Sequence, residues 1–344
     1  MKSGQSFFPI AVFLLLLSVP SHAQTKQDSI PEKRKGLPDS ISQKSIAYAA
    51  AKFAIARPLN IEFTTALPFN YTLSPQGNAS LPNGRITSFS QLKASTNYNF
   101  IRKKKWMLGA TFDLRYYHIG ADLDEAIAPG TGSVSSNFLF HTTALNFTYF
   151  SRLLGKTVIW GASALADGSD KGFERVRGFA YGTMLIKVNA RTKIMAGALV
   201  NIGPNNQIPA LPMFTYEHKF SNDLVLDVLL PSKVLFRKYF ANKSRISVGA
   251  EMDQADFFLY NVNMLNPDLK YEFQQAHANT GAIYEHLLGD NFILAFRAGA
   301  KIPFNGRFYE KNDVKDPVFK VSSGTSLYFN AGISFNPFHK KNKK

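Results

Sequence analysis

The segment WMLGATFDLRYYH, residues 106–118, alternates between apolar and polar side chains along its length. Its even positions are Trp106, Leu108, Ala110, Phe112, Leu114 and Tyr116, and its odd positions include Gly109, Thr111, Asp113 and Arg115. Successive side chains of a β-strand point to opposite faces, so the segment predicts a strand with one apolar and one polar face.

Segments of this kind fill the chain from about residue 59 to residue 338. We predict fourteen strands, at residues 59–67, 85–100, 105–118, 137–151, 156–166, 174–188, 192–202, 209–219, 223–230, 233–240, 245–260, 269–287, 291–302 and 325–337. Short connections, as at 153–156, alternate along the chain with mostly longer ones, as at 68–84, 167–172 and 303–324. Short turns at one end and long loops at the other are typical of antiparallel transmembrane barrels, which have an even number of strands.

Pro231 and Ser232 decide between two strand counts. Proline lacks the amide hydrogen that a ladder needs and belongs at turns or edges, so we interpret the two residues as a tight turn between two strands. If they form a bulge within one longer strand instead, twelve strands are expected.

The surroundings of the strands need further signals, because alternation also fits a soluble sandwich or a ligand-binding barrel with an apolar interior. The polar face carries charges with glycines and serines, which suits a wet lumen. Aromatic residues that open or close strands indicate an interfacial girdle: Trp106, Phe292, Phe100, Phe150 and Phe335. The sequence therefore predicts an all-β fold, a transmembrane antiparallel up-and-down β-barrel over residues 58–338, in the cell outer membrane.

Residues 1–23 have the features of a secretory signal peptide. Lys2 precedes an apolar run at 7–19, and Ser21-His22-Ala23 is a small-x-small cleavage site. The run is shorter than the ~20 residues that a spanning helix needs. The chain has no cysteine, so neither a disulfide framework nor a thiolate metal site is expected.

Residues 24–57 are polar at first and then alanine-rich, and KSIAYAAAKFAIA at 44–56 could form one short helix. We expect residues 24–57 to be a periplasmic linker or a plug of the lumen. Residues 339–344 are expected to be a basic periplasmic tail.

The chain carries 40 Lys and Arg against 24 Asp and Glu, a formal net charge of +16. An exported protein does not meet nucleic acid, so outer-membrane lipid is the expected anionic partner. Basic residues gather in short turns, as at 102–105. Acidic residues gather in the long loops: Asp122, Asp124, Glu125, Asp167, Asp170, Asp268, Asp313 and Asp316. This sorting predicts that the turns are periplasmic and the loops external.

No motif for a nucleophile, a phosphate loop, a dinucleotide or a metal ion occurs, and the histidines are scattered along the chain. We therefore expect no catalysed reaction, no metal and no cofactor. The alternation assigns these candidate residues to the lumen lining: Arg85, Lys93, Asp113, Arg115, Arg177, Lys193, Glu217, Asp227, Glu251, Asp253, Arg297 and Lys301. An open pore with this lining would modestly favour anions, but pairing across neighbouring strands, which would only hold the lumen together, is the favoured interpretation.

Residues 209–260 resemble a family of uncharacterised outer-membrane barrel proteins of the Bacteroidota. The likeness lies in Pro212, Tyr216, the turn at 230–232 and Gly249. It implies a fold and a location, and no reaction. Fourteen strands preceded by an N-terminal segment are also similar to fatty-acid-transporter-type barrels, in which such a segment plugs the lumen.

The charged lumen face and the lack of catalytic motifs predict an outer-membrane channel or transport barrel for small molecules. Two alternatives stay open. One is a structural or adhesive outer-membrane barrel with a closed lumen, whose long loops contact partners. The other is an outer-membrane hydrolase, which would need a nucleophile beside a histidine on neighbouring strands. The sequence leaves the cargo and the oligomeric state undetermined.

Overall fold

Fourteen antiparallel strands close into one barrel in the computed structural model, which describes residues 41–75, 83–122, 133–203, 209–240, 243–260, 269–304, 306–311 and 316–337. A helix, α1 (Ile41–Lys52), and a 3-10 turn (Ala54–Ala56) come first. The strand segments are β1 (Leu59–Ala66), β2 (Phe69–Pro75), β3 (Asn83–Arg102), β4 (Trp106–Asp122), β5 (Ser133–Leu153), β6 (Lys156–Ser169), β7 (Gly172–Val188), β8 (Thr192–Ile202), β9 (Ala210–Lys219), β10 (Leu224–Leu230), β11 (Lys233–Phe240), β12 (Ser244–Tyr260), β13 (Lys270–Leu288), β14 (Phe292–Pro303), β15 (Gly306–Glu310), β16 (Phe319–Ser323) and β17 (Ser326–Phe335). Among the described residues, no helix has the length and apolar character that crossing a membrane would require.

The barrel ring runs from β1 through β3 to β14, then to β17 and back to β1. The prediction of fourteen barrel strands is confirmed, and each barrel strand overlaps its predicted range. Pro231 and Ser232 form the turn between β10 and β11, so the twelve-strand alternative is wrong.

Three further strands, β2, β15 and β16, lie within the stretches 68–84 and 303–324 that the sequence predicts as loops. They pair with one another and with β3 and β13 above the barrel ring. Each is only five to seven residues long and borders turn residues, which is why the local pattern indicates a loop. They continue β1, β14 and β17, so three neighbouring wall strands are interrupted at about the same height.

The outer surface of the barrel is apolar, as the alternation predicts. Large exposed side chains lie on strand after strand, among them Leu92, Phe112, Leu145, Trp160, Phe214, Phe236, Phe296 and Phe329. Phe292 and Phe335 pack together near the strand ends, with ring centroids 5.4 Å apart. Phe150 is a correction to the predicted girdle: it is buried inside the barrel, because its neighbour Tyr149 takes the outward position.

Several predicted features lie outside the described residues. They are the signal peptide at 1–23, the first part of the segment 24–57, the acidic residues Asp124, Glu125, Asp268 and Asp313, and the basic tail at 339–344.

Candidate functional site

Helix α1 lies inside the lumen, at the end of the barrel where short turns join the strands, here called the turn end. The alanine-rich sequence favours a helix, and its small side chains limit the helix width within the barrel. Ile46 and Ala50 are buried at 5% and 0% exposure. The Tyr48 ring has the ammonium groups of Lys52 and Lys193 at 5.4 and 5.1 Å from its centroid. Burial raises the pKa of the Tyr48 hydroxyl.

The last carbonyl groups of α1 are satisfied by cationic side chains. Arg57 Nε donates to Ala50 O at 3.0 Å, and Arg245 donates to Ala51 O at 3.2 Å. Lys233 Nζ donates to the carbonyl oxygen of Lys52. The C-terminal carbonyls of a helix lack partners within the helix and carry partial negative charge, so basic groups stabilise this end.

Buried ion pairs fasten the same end of the helix to the wall. Lys52 Nζ bridges Glu217 and Asp227, the latter at 2.6 Å, and Arg237 meets Asp227 at 3.0 Å. Asp227 is fully buried. Removing one partner of such a cluster costs about 3–5 kcal/mol, because the other charges stay buried without compensation.

Arg57, just after the helix, forms a second anchor on β13 and β17. Its guanidinium donates to Ser334 Oγ at 2.6 Å and meets Glu285 at 3.1 Å. Burial lowers the pKa of Arg57, while the Glu285 carboxylate acts against this shift.

The other side of α1 faces strands β3 to β7. A cavity of about 240 Å³ lies between the helix and strands β3 to β7. Its polar lining is neutral, with hydrogen bonds from Asn97 to Thr111 at 2.9 Å, from Asn146 to Thr111 at 2.8 Å and from Ser163 to Asn146 at 2.7 Å. The helix is therefore held by charged groups on one side, and a cavity separates it from neutral groups on the other.

Beyond the helix, the middle of the lumen holds a cavity of about 310 Å³, here called the polar cavity. Eight Lys and Arg side chains and four carboxylates line it, so positive charge is in excess. Lys93 meets Asp253, and Arg297 meets Glu62 at 3.2 Å and Glu251 at 3.8 Å.

The half of the lumen near the long loops is here called the loop end. Two strands from opposite sides of the barrel approach each other there, and this contact is here called the pinch. β5 and β12 are seven strands apart in either direction around the ring, and nonetheless contact each other. Phe138 stacks on Phe257 with centroids 4.3 Å apart, and Phe140 stacks on Phe258 at 5.9 Å. These aromatic contacts bridge the lumen at this level.

The two strands can meet because β12 extends further towards the loop end than its neighbour β11. The ladder between β11 and β12 ends at Lys233 and Glu251, beside the Pro231-Ser232 turn. The rest of β12 has a free edge towards β11 and leans across the lumen. Residues 255–258 are buried one after another, so both faces of this part are covered.

A row of three glycines crosses the wall below the leaning part. Gly249 of β12 pairs with Gly281 of β13, which pairs with Gly299 of β14. Gly249 and Gly281 have φ values of 153° and 147°, which other residues rarely adopt. A Cβ on Gly281 would lie 2.2 Å from Ala298 O. The backbone conformation and the close approach of the neighbouring strand therefore require glycine at Gly249 and Gly281.

The part of β12 that leans across the lumen, together with the paired part of β13, borders a second cavity on one face. This cavity has a volume of about 240 Å³ and is here called the apolar cavity. Aromatic and aliphatic groups from β2, β3, β4, β5, β12, β13, β15 and β16 line it. Pro303, Phe69 and Gly324 also line it, so the cavity reaches the level at which β14, β1 and β17 are interrupted.

The other face of the leaning strands carries an ion-pair network, which corrects one prediction. Asp167 is fully buried in β6 rather than solvated in a long loop, because β6 and β7 continue to a two-residue turn at 170–171. Asp167 Oδ2 accepts from Arg175 at 2.8 Å and from Arg177 at 2.7 Å. Arg175 also binds Glu272 on β13, so the network connects the β12–β13 hairpin to β6 and β7.

The predicted lumen residues mostly meet charged partners. Four pairs form within the predicted set, namely Lys93 with Asp253, Asp113 with Arg115, Lys193 with Glu217, and Glu251 with Arg297. Arg177 and Asp227 pair with residues outside the set. Lys301 stands over the Phe89 ring at 4.2 Å, and Arg85 is exposed near the loop end.

The predicted lumen residues do not include the side chains that anchor the helix, which are Lys52, Arg57, Lys233, Arg237, Arg245 and Glu285. Arg245 begins the predicted strand 245–260 and shares the parity of Ser247 and Glu251, so the alternation itself indicates the lumen face. The run FFLY at 257–260 was a second signal, because consecutive apolar residues in a strand indicate burial on both faces.

A hydroxyl and a histidine meet on neighbouring strands near the turn end. Ser244 Oγ lies 2.8 Å from His286 Nδ1, on the outward face. In the part of the chain that the structure describes, no carboxylate hydrogen-bonds to His286, so the orienting group of a nucleophile–histidine–acid set is missing there. Likewise, no group of three or more His, Cys, Asp or Glu suited to a metal occurs among the described residues.

No protein-family model matches the chain, and no curated protein matches it significantly. Solved structures that it resembles include the outer membrane phospholipase A of Escherichia coli, at 10% identity and a TM-score of 0.30, covering 79% of this chain and 96% of that one. An outer membrane channel of Pseudomonas putida F1 has 9% identity and a TM-score of 0.30, over 90% and 100% of the two chains. A Pseudomonas aeruginosa FadL homologue has 11% identity and a TM-score of 0.30, over 85% and 94%.

These structures are all outer-membrane proteins, and they include both a transport barrel and an enzyme. At such identities and scores they carry no argument about what this chain does. The resemblance to a Bacteroidota family stays a prediction.

Proposed function

We propose that the chain is an outer-membrane transport barrel for small molecules, with a lumen closed at rest by its own N-terminal helix. The observation that carries the proposal is the attachment of α1: basic groups cap its C-terminal carbonyls, and Lys52 reaches Asp227 and Glu217. The apolar exterior suits hydrocarbon, and the basic turns suit the periplasmic side.

Transport in this arrangement requires two barriers to move. The first is α1 at the turn end, and the second is the aromatic contact between β5 and β12 at the loop end. The neutral cavity beside α1 and the polar cavity beyond it are separate spaces that removal of the helix would join.

Liposome swelling with a small sugar tests this proposal in four proteins: the full chain, a deletion of residues 41–56, the pair Phe138→Ala and Phe257→Ala, and the combination. We expect the full chain to exclude the solute and the combination to admit it fastest, because it lacks both barriers. A folded combined variant that still excludes the solute would contradict the proposal.

The absence of cysteine makes thiol labelling a second readout. Ser247 lines the polar cavity and is 1% exposed. We expect Ser247→Cys to react slowly with a charged thiol reagent in the full chain, and at least about tenfold faster without residues 41–56. Ser221→Cys, in an exposed turn, should react equally fast with and without the helix.

A structural barrel with a closed lumen is the second candidate, and the pinch between β5 and β12 favours it. The two candidates predict different results for the combined variant in the swelling assay. A transport barrel admits the solute once both barriers are removed, whereas a purely structural barrel still excludes it, because other side chains fill its lumen.

A further inference from the structure

We propose that the polar cavity binds an anionic group, a carboxylate or a phosphate, of the transported molecule. This inference rests on the proposed function and names the chemistry of its substrate.

The carboxylates that line the cavity are already engaged. Glu62 meets Arg297 at 3.2 Å, and Glu285 meets Arg57 at 3.1 Å and Arg245 at 2.8 Å. Asp253 meets Lys93, and Glu251 lies 3.8 Å from both Lys233 and Arg297. Two further lining cations, Lys52 and Arg237, pair with Glu217 and Asp227 outside the lining. The eight basic groups therefore face six carboxylates, which leaves a formal excess of two positive charges.

Lys301 is the basic group with the least compensation. Its ammonium nitrogen lies over the Phe89 ring, and among the described residues it forms no ion pair. A cation that is partly withdrawn from water is stabilised by an anion with which it can form a charge-assisted hydrogen bond.

His277, on the neighbouring strand, has one ring nitrogen near Asp253, with Nε2 at 3.5 Å from Oδ2, and one without a partner in the described part of the chain. Its side chain is 2% exposed and lines the polar cavity, and Nδ1 has no hydrogen-bond partner among the described residues. Lys301 pairs in register with Asn279, two residues from His277, so both side chains face the lumen at nearly the same height. Buried polar groups are normally hydrogen-bonded, so a ligand with polar atoms fits this position.

Lys301 lines the apolar cavity as well as the polar one. An anionic group beside Lys301 could therefore belong to a small free solute or to the head of an amphiphile whose chain enters the apolar cavity. The shared chemistry is the anion, and the chain length of the ligand distinguishes the two sources.

Equilibrium binding to the full chain in lipid nanodiscs tests the proposal, with empty nanodiscs as the correction for partitioning. The probes are radiolabelled succinate, inorganic phosphate and dodecanoate, with dodecyltrimethylammonium as a cationic competitor. We expect saturable binding of an anion, no competition by the cation, and an affinity about tenfold weaker in Lys301→Gln, the usual effect of losing a hydrogen bond to a charged group. Lys320→Gln, on the outward face of β16 beside the cavity-lining Val321, should bind like the unaltered chain.

Binding of succinate or phosphate would assign the site to a free solute, and binding of dodecanoate alone would assign it to an amphiphile; either result supports the anion site. No saturable binding of any anion, or unchanged affinity in both Lys301→Gln and His277→Gln, would overturn it. Because binding is measured without transport, a barrel that opens in the swelling assay and yet binds no anion would remove this inference alone. Binding without opening would remove the proposed function alone.

Discussion

The turn end and the loop end of the lumen are bridged by opposite kinds of interaction. At the turn end, a helix with small side chains is held by Lys52, Arg57 and their carboxylate partners. At the loop end, Phe138 and Phe257 meet across the barrel and surround an apolar space. A closure built on ion pairs responds to loss of charge, whereas one built on aromatic packing responds to loss of volume. The two halves can therefore be perturbed separately.

The largest effect is expected at the turn end, from Asp227→Asn. The substitution keeps the shape of the side chain and leaves Lys52 and Arg237 buried without their shared carboxylate, so we expect a loss of about 3–5 kcal/mol in the free energy of unfolding. Urea titration of the protein refolded into vesicles measures it. Asp223→Asn is the matched control, because Asp223 pairs with Lys219 in an exposed turn and should change little. Equal effects of the two variants would show that the buried cluster does not hold the helix.

A smaller effect is expected where the two halves meet, from Gly281→Ala. The added Cβ overlaps Ala298 O, and φ of 147° is unfavourable for alanine, so we expect a loss of about 1–3 kcal/mol. Thermal unfolding followed by circular dichroism measures it.

Gly155→Ala provides the comparison for the glycine row. Gly155 also has a positive φ, of 73°, but a Cβ there meets nothing within 4 Å, so its cost is that of the backbone conformation alone. If Gly281→Ala costs no more than Gly155→Ala, close packing of the glycine row does not contribute to stability.

The smallest effect is expected from Tyr48→Phe. The Tyr48 hydroxyl has no hydrogen-bond partner among the described residues, so its removal should change the free energy of unfolding by less than about 1 kcal/mol and could stabilise the chain. The same urea titration serves as the measurement. A clear destabilisation would mean that the hydroxyl has a partner on the plug, and that the turn end depends on more than its ion pairs.

The sequence alone determined the barrel wall. Alternation, turn residues and the proline at 231 act within a few residues of one another, so the strands and their number followed from local pattern. It also placed several charged residues on the lumen face, since parity along a strand is a local property as well.

The tertiary structure decided how the lumen is closed. Lys52 and Asp227 are 175 residues apart, and Phe138 and Phe257 come from opposite sides of the ring, so neither contact leaves a trace in local periodicity. The short strands β2, β15 and β16 exist only because β3 and β13 offer free edges to them. A strand pattern reports which side of the wall a residue faces. What that residue meets across the barrel depends on the curvature and height of the whole sheet, and only the folded chain specifies these.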